Sequence, residues 1–174
     1  FEPVSRMKSV PPEPFLKESR FDFTYFMVPA KYYFFQHLQL EFSKQINKRR
    51  SLGITTGFTV LQAKLQPFGR NVFFNVAAGY NWSLLGESKF YINPTAKIMY
   101  STVFGRIDSR MYYGGGLLAG INIGYRIGSF GIGVKVRSYF SIGYINRLDT
   151  QIPETGFSYL LIPLEGGINL SFRL

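Results

Sequence analysis

The sequence predicts an all-β fold, an eight-stranded antiparallel up-and-down transmembrane β-barrel over residues 21–174, preceded by an extended Pro-rich tail over 1–20. Three observations carry that reading. Apolar and polar residues alternate with a period of two in eight segments. Tight turns and longer connections alternate between those segments. The polar face consists mostly of Gly, Ser, Thr and Asn with isolated charges, which suits a narrow interior better than a wet exterior.

Composition bounds the alternatives. The chain has 174 residues, enough for one domain, and is rich in Gly (18), Phe (18) and Tyr (12). No apolar run approaches the roughly 20 residues that a membrane helix needs. Cysteine is absent, which excludes disulfides, thiolate metal sites and a lipidated N-terminal cysteine. With a single histidine, no metal and no cofactor is expected. Residue 1 opens neither a basic n-region nor an apolar h-region, so an exported chain would be in its mature form. The net charge is +10, yet the basic residues form no stripe on any element, and no nucleic-acid partner is expected.

Taken in order, the tail holds prolines at 3, 11, 12 and 14 among alternating charges, a pattern that resists folding alone. The first strand, about 20–27, sets Phe21, Phe23 and Tyr25 against Asp22 and Thr24. The second, about 34–46, sets Leu38, Leu40 and Phe42 against His37, Gln39 and Glu41. The third, about 51–61, sets Leu52, Ile54 and Phe58 against Gly53, Thr55 and Gly57. The fourth, about 71–84, sets Val72, Phe74, Val76, Tyr80 and Trp82 against Asn75, Ala77, Gly79 and Asn81. The fifth, about 89–100, sets Phe90, Ile92, Ile98 and Tyr100 against Asn93, Thr95 and Lys97. The sixth, about 116–127, sets Leu117, Ala119, Ile121, Ile123 and Tyr125 against Gly120, Asn122, Gly124 and Arg126. The seventh, about 130–140, sets Phe130, Ile132, Val134 and Val136 against Gly131, Gly133, Lys135 and Arg137. The eighth, about 160–174, sets Ile162, Leu164, Ile168, Leu170 and Phe172 against Glu165, Gly167, Asn169, Ser171 and Arg173.

Tight turns are expected at Asn47–Arg50, Leu85–Ser88 and Gly128–Ser129, and longer loops at about 28–33, 62–70, 101–115 and 141–159. An even strand count, with both ends on the short-turn side, fits a bacterial outer-membrane barrel. A soluble barrel would instead hide the apolar face and display charge. Interfacial rings are expected at the turn-side ends of the apolar face (Trp82, Phe90, Tyr125 and Phe130) and toward the loops (Tyr100).

The last strand reads LEGGINLSFRL. It resembles the C-terminal assembly signal of bacterial outer-membrane barrels, with Glu165, Gly167, Leu170 and Phe172 in the matching positions, although Arg173 and Leu174 follow the usual final aromatic. The chain is thus similar to the small eight-stranded barrels of that membrane, and its Tyr, Phe, Lys and Asn texture resembles Bacteroidota members. The resemblance implies an integral outer-membrane location and names no activity.

Asp22, Glu41 and Glu165 are expected inside the barrel among Lys97, Arg126, Lys135, Arg137 and Arg173, as a salt-bridge network filling the lumen. The alternative for these charges is a narrow ion path. A lumen-side change such as Gly133→Ser is expected to be milder than a charge on the lipid face such as Val134→Arg. His37 with Asp108 and Ser109 resembles the set used by outer-membrane palmitoyltransferases, which implies a lipid A acyltransferase as a second reading. Loop-side Lys31, Lys64, Arg70, Arg106 and Arg110 suit lipopolysaccharide phosphates. The two longest loops suit an adhesin. The favoured expectation is non-enzymatic: an accessory subunit of a larger outer-membrane complex, surrounded by outer-membrane lipid and docked through its periplasmic tail.

Overall fold

The computed structural model describes residues 18–29, 33–63, 70–85, 88–105, 110–147 and 155–174. These form β1 (Ser19–Pro29), β2 (Tyr33–Asn47), β3 (Arg50–Ala63), β4 (Arg70–Trp82), β5 (Phe90–Gly105), β6 (Arg110–Ile127), β7 (Phe130–Arg147) and β8 (Thr155–Arg173). Each strand pairs antiparallel with the next, and β8 returns to β1 to close the barrel. Closure leaves no sheet edge along the paired seam, which is what a lipid surround demands of β-structure. Residues 1–17 of the predicted tail lie outside the described residues.

The later strands run further than the alternation predicts. β5 to β8 absorb most of the expected loops, so the third connection is 106–109 rather than 101–115 and the fourth 148–154 rather than 141–159. The run Gly114–Gly116 obscured this continuity, because glycine carries no apolar or polar signature. Its backbone is nonetheless paired throughout, and a Cβ on Gly116 would stand 2.6 Å from Ser141 Cα. Glycine is there because the facing backbone leaves no room for a side chain. At the tight turn between β6 and β7, Gly128 takes a φ of 59°, the left-handed conformation that glycine enters without a Cβ penalty.

Pairing is staggered around the barrel. The row Ile168, Tyr25, Leu38, Phe58, Phe74, Thr102, Tyr113, Tyr144 and Phe157 passes across all eight strands and returns to β8 eleven residues from where it began. One of those residues belongs to the β-bulge opposite Arg137 and Tyr139. Such a stagger tilts the strands by about 40° and sets a bore that side chains can fill. It also makes the walls unequal: β1 pairs with β8 only from Arg20–Arg173 to Phe26–Gly167, while β7 and β8 continue to Asn146–Thr155.

The burial pattern is inverted relative to a soluble barrel. Ile98, Leu117, Val134 and Ile168 are 73%, 64%, 54% and 62% exposed. Thr24, Thr55, Ser141 and Asn169 are fully buried. The apolar stripe therefore faces outward on every strand. Val134 sits near the middle of that stripe on β7. Val134→Arg should destabilise the folded barrel by about 2–4 kcal/mol. Urea titration in lipid vesicles, read by the fluorescence of the single tryptophan, Trp82, would measure it.

Candidate functional site

The inward side chains converge on Glu41 of β2. Lys97 Nζ, from β5, lies 2.6 Å from Glu41 Oε1, and Lys135 Nζ, from β7, lies 2.8 Å from Oε2. Asn81 Nδ2 of β4 donates to Oε1 at 2.7 Å, and Gln39 Nε2 donates to Oε2 at 3.3 Å. Lys97 Nζ also donates to Thr55 Oγ1 at 2.6 Å. One carboxylate thus gathers donors from four strands, which spans the bore rather than lining it.

Two further groups flank it. Arg137 donates through Nε to Glu165 and through Nη1 to Gln39, and its guanidinium lies 4.1 Å from the Phe26 ring centroid. That stacking adds a cation–π attraction in a desolvated setting. Asp22 accepts from Arg20 Nε at 2.7 Å and from Asn169 Nδ2 at 3.3 Å, while Thr24 Oγ1 donates to Asn169 Oδ1 at 2.6 Å. Turning the Asn93 amide over would bring its oxygen to Arg20 Nη1 at 2.9 Å. At the turn end, Arg173 Nη1 meets Glu18 Oε1 at 3.1 Å, and the Arg126 guanidinium lies 5.6 Å from the Tyr91 centroid.

Asp22, Glu41, Glu165, Lys97, Lys135 and Arg137 are therefore buried in the lumen and joined to one another or to neutral partners. Arg126 and Arg173 are instead half-buried at the turn end. Arg20, Gln39, Asn81 and Asn169 complete the network; the sequence placed Gln39, Asn81 and Asn169 on the polar face without joining them to it, and Arg20 was missed. Their signal was parity: each shares the inward position of its strand with a recognised lumen residue.

Parity also reveals inward rings and apolar side chains where polar and charged residues were expected. Phe26, Tyr91, Tyr112 and Tyr139 are buried, and Ala77, Met99, Leu118 and Tyr139 form an apolar cluster inside the barrel. Glycines make the room. A Cβ on Gly167 would stand 2.7 Å from Phe26 Cδ1, one on Gly124 2.6 Å from Tyr91 Cζ, and one on Gly143 2.6 Å from Tyr112 Cζ. His37 follows the same rule: it is buried, edge-on to Phe26 at 5.6 Å, and a Cβ on Gly57 would come within 2.9 Å of its Cε1. Asp108 and Ser109, its expected companions, lie outside the described residues, as do Lys31, Lys64 and Arg106.

Gly133→Ser, expected to be milder than Val134→Arg, still meets close packing. A Cβ there would stand 2.7 Å from Tyr91 Oη and 2.9 Å from Gly124 Cα, and the latter is backbone that cannot swing aside. The outward rings lie where the girdles were expected. Phe90, Tyr125 and Tyr100 are exposed, Trp82 stacks near Tyr80 at 6.2 Å, and Phe130 meets Phe172 edge-on at 5.3 Å. In the terminal motif, Glu165 and Gly167 point inward, Leu170 is half-buried and Phe172 is exposed.

No family model and no curated protein sequence matches the chain. Solved structures do. The outer-membrane protein OprG from Pseudomonas aeruginosa superposes with a TM-score of 0.60 at 10% identity, covering 91% of this chain and 95% of its own. AlkL, an outer-membrane protein solved in lipid bilayers, gives 0.57 at 10% identity and covers 97% of both chains. Neisserial surface protein A gives 0.50 at 12% identity, covering 91% and 97%. The Bacteroidota-like texture is not carried by these matches.

Removing one partner from a buried charge cluster costs more than the cluster itself contributes. Glu41→Gln should cost about 3–5 kcal/mol by leaving two ammonium groups without their carboxylate. Glu41→Leu combined with Lys97→Met and Lys135→Met should recover most of that loss in the same urea titration. Gly133→Ser should cost about 1–3 kcal/mol through overpacking, and Gly133→Ser with Tyr91→Ala should be less harmful than the single losses add up to. The fold behind these numbers, a closed barrel of eight antiparallel strands matched over at least 91% of this chain and 95% of each neighbour, is that of the small eight-stranded outer-membrane barrels.

Proposed function

We propose that this chain is an integral outer-membrane barrel with a closed lumen that works through its surface, as an accessory subunit of a larger outer-membrane assembly. Protein export, barrel insertion and nutrient uptake are the settings such a subunit fits. The observation that carries this reading is the Glu41 cluster. Its ion pairs reach across the bore from β2 to β5 and β7, and the rings of Phe26, Tyr112 and Tyr139 occupy the lumen beside them. A barrel occupied in this way has little interior left for a solute path.

The same packing argues for contacts rather than catalysis. His37, the chain's one histidine, is 1% exposed and packed against Phe26. A base acting on membrane lipid needs access to the outer rim, and this position offers none. The Pro-rich segment before β1 suits docking, because an extended chain orders itself only when a partner supplies the compensating contacts.

Planar bilayers are the direct test. The wild-type barrel should give no stable single-channel steps, and large ion-selective steps would sink the closed-lumen reading. Mild detergent extraction should recover the barrel with a larger membrane protein. Deleting residues 1–17 should reduce that recovery while the barrel still folds, and recovery of the barrel alone from every extraction would argue against a subunit role.

A further inference from the structure

Charge is unevenly spread around the turn end of the barrel. Lys44, Lys48, Arg49 and Arg50 cluster at the β2–β3 turn, and all are exposed. Lys89, at the start of β5, is exposed as well. A backbone hydrogen bond from Ser83 N to Arg49 O, 2.8 Å long, ties the β4–β5 connection to that turn, so these cations lie on one side of the rim, over β2 to β5. None of the five forms an ion pair with an acid among the described residues. Glu87 of the same connection lies outside the described residues. Elsewhere on the rim the picture differs: the turn from Ile127 to Phe130 carries no charge, and Arg173 is paired with Glu18.

That side of the rim is also apolar at its tips. Ile46, Leu84 and Leu85 are 48%, 61% and 44% exposed beside Trp82. The Leu84 amide donates to Ile92 O at 3.1 Å, which fixes this turn to the barrel wall. Leucines held outward at a turn are costly in water and favourable at a lipid interface. The strand positions agree. Lys44 follows Phe42 on the outward face of β2, and Arg50 is paired in register with Trp82. The cations are thus set among apolar positions, Lys44 between Phe42 and Ile46 on the outward face of β2. Their stems can run along apolar surface while their heads meet phosphate oxygens.

We infer that Lys44, Lys48, Arg49 and Arg50 of the β2–β3 turn, with Leu84, Leu85 and Lys89 between β4 and β5, form a binding site for the phosphate headgroups of anionic phospholipids in the leaflet at the turn end. An acidic polypeptide would find the same charges, but it would leave Ile46, Leu84 and Leu85 in water. A phospholipid satisfies both halves of the surface at once. Four to five clustered cations at a membrane surface are a recurrent arrangement for anionic-lipid recognition. The inference rests on the chain spanning a membrane and is independent of whether its lumen conducts or it has a protein partner.

The full chain reconstituted in phosphatidylcholine mixed with phosphatidylglycerol, released into detergent and weighed with its retained lipids by native mass spectrometry, would test it. Phosphatidylglycerol should be retained in preference to phosphatidylcholine. The variant K44Q/K48Q/R49Q/R50Q should lose at least about tenfold of that preference, each cation being worth roughly fivefold. R49K/R50K should keep it, and heat-modifiable gel migration would show that each variant folds. If the quadruple variant misfolds, K44Q/K48Q alone should still lower retention. Equal retention of the two lipids, or unchanged retention in the folded quadruple or K44Q/K48Q variant, would overturn the inference. So would displacement of the lipid by an equal concentration of inorganic phosphate, or by polyglutamate, which would mark a free-anion or polypeptide site instead.

Discussion

The interior of an eight-strand barrel is the constraint on which the rest of this structure depends. Its bore has room for side chains and little else. Each inward position must therefore fill its share of volume without colliding with the opposite wall, and must pair whatever charge it brings. Glycine and ring residues divide that task. Where Tyr91 crosses the lumen, Gly124 and Gly133 give way beneath it, and Gly167 does the same for Phe26. Volume is conserved across neighbouring strands, although no single strand shows it.

Charge obeys a similar accounting. Glu41 is shared by Lys97 and Lys135, while Glu165 answers Arg137 and Asp22 answers Arg20. Neutral amides from Gln39, Asn81 and Asn169 take up further acceptor and donor positions. Such clusters add little net stability over a well-packed apolar interior, but they make any partial version of themselves costly. That asymmetry specifies one register: sliding a strand by a single residue would point its charges at lipid and its apolar side chains at the bore.

The fold was legible in the sequence because the two-residue period runs through every strand, broken on β8 only at the bulge opposite Arg137 and Tyr139. The inward charges were legible for the same reason, since Lys97, Lys135, Arg137 and Glu165 interrupt no apolar position. What escaped was of two kinds. The loop-side extensions of β5 to β8 were masked by glycines and tyrosines, which belong equally to turns, interfaces and strands. The inward rings escaped because an aromatic residue reads as lipid-facing unless its parity is followed strictly, as Phe26 after Thr24 and Tyr91 before Asn93 show. The pairing of a ring with a glycine on another strand lies beyond any local pattern, because it depends on the stagger of the closed barrel.

The seam between the first and last strands ties these themes to the order in which the molecule can be built. Thr24 on β1 bonds to Asn169 on β8 across 145 positions of sequence, one of the most widely separated contacts among the described residues. Contacts of that separation form late, since the loop they close carries the largest entropy cost. Phe26 cannot reach its place over Gly167 and beneath the Arg137 guanidinium until the seam shuts. Closing the wall and completing the interior are consequently one event. Before it, an open sheet would present the bonding edges of two strands and a row of unsheltered charges to the same surroundings. The chain thus has a strong reason to remain escorted until its ends meet.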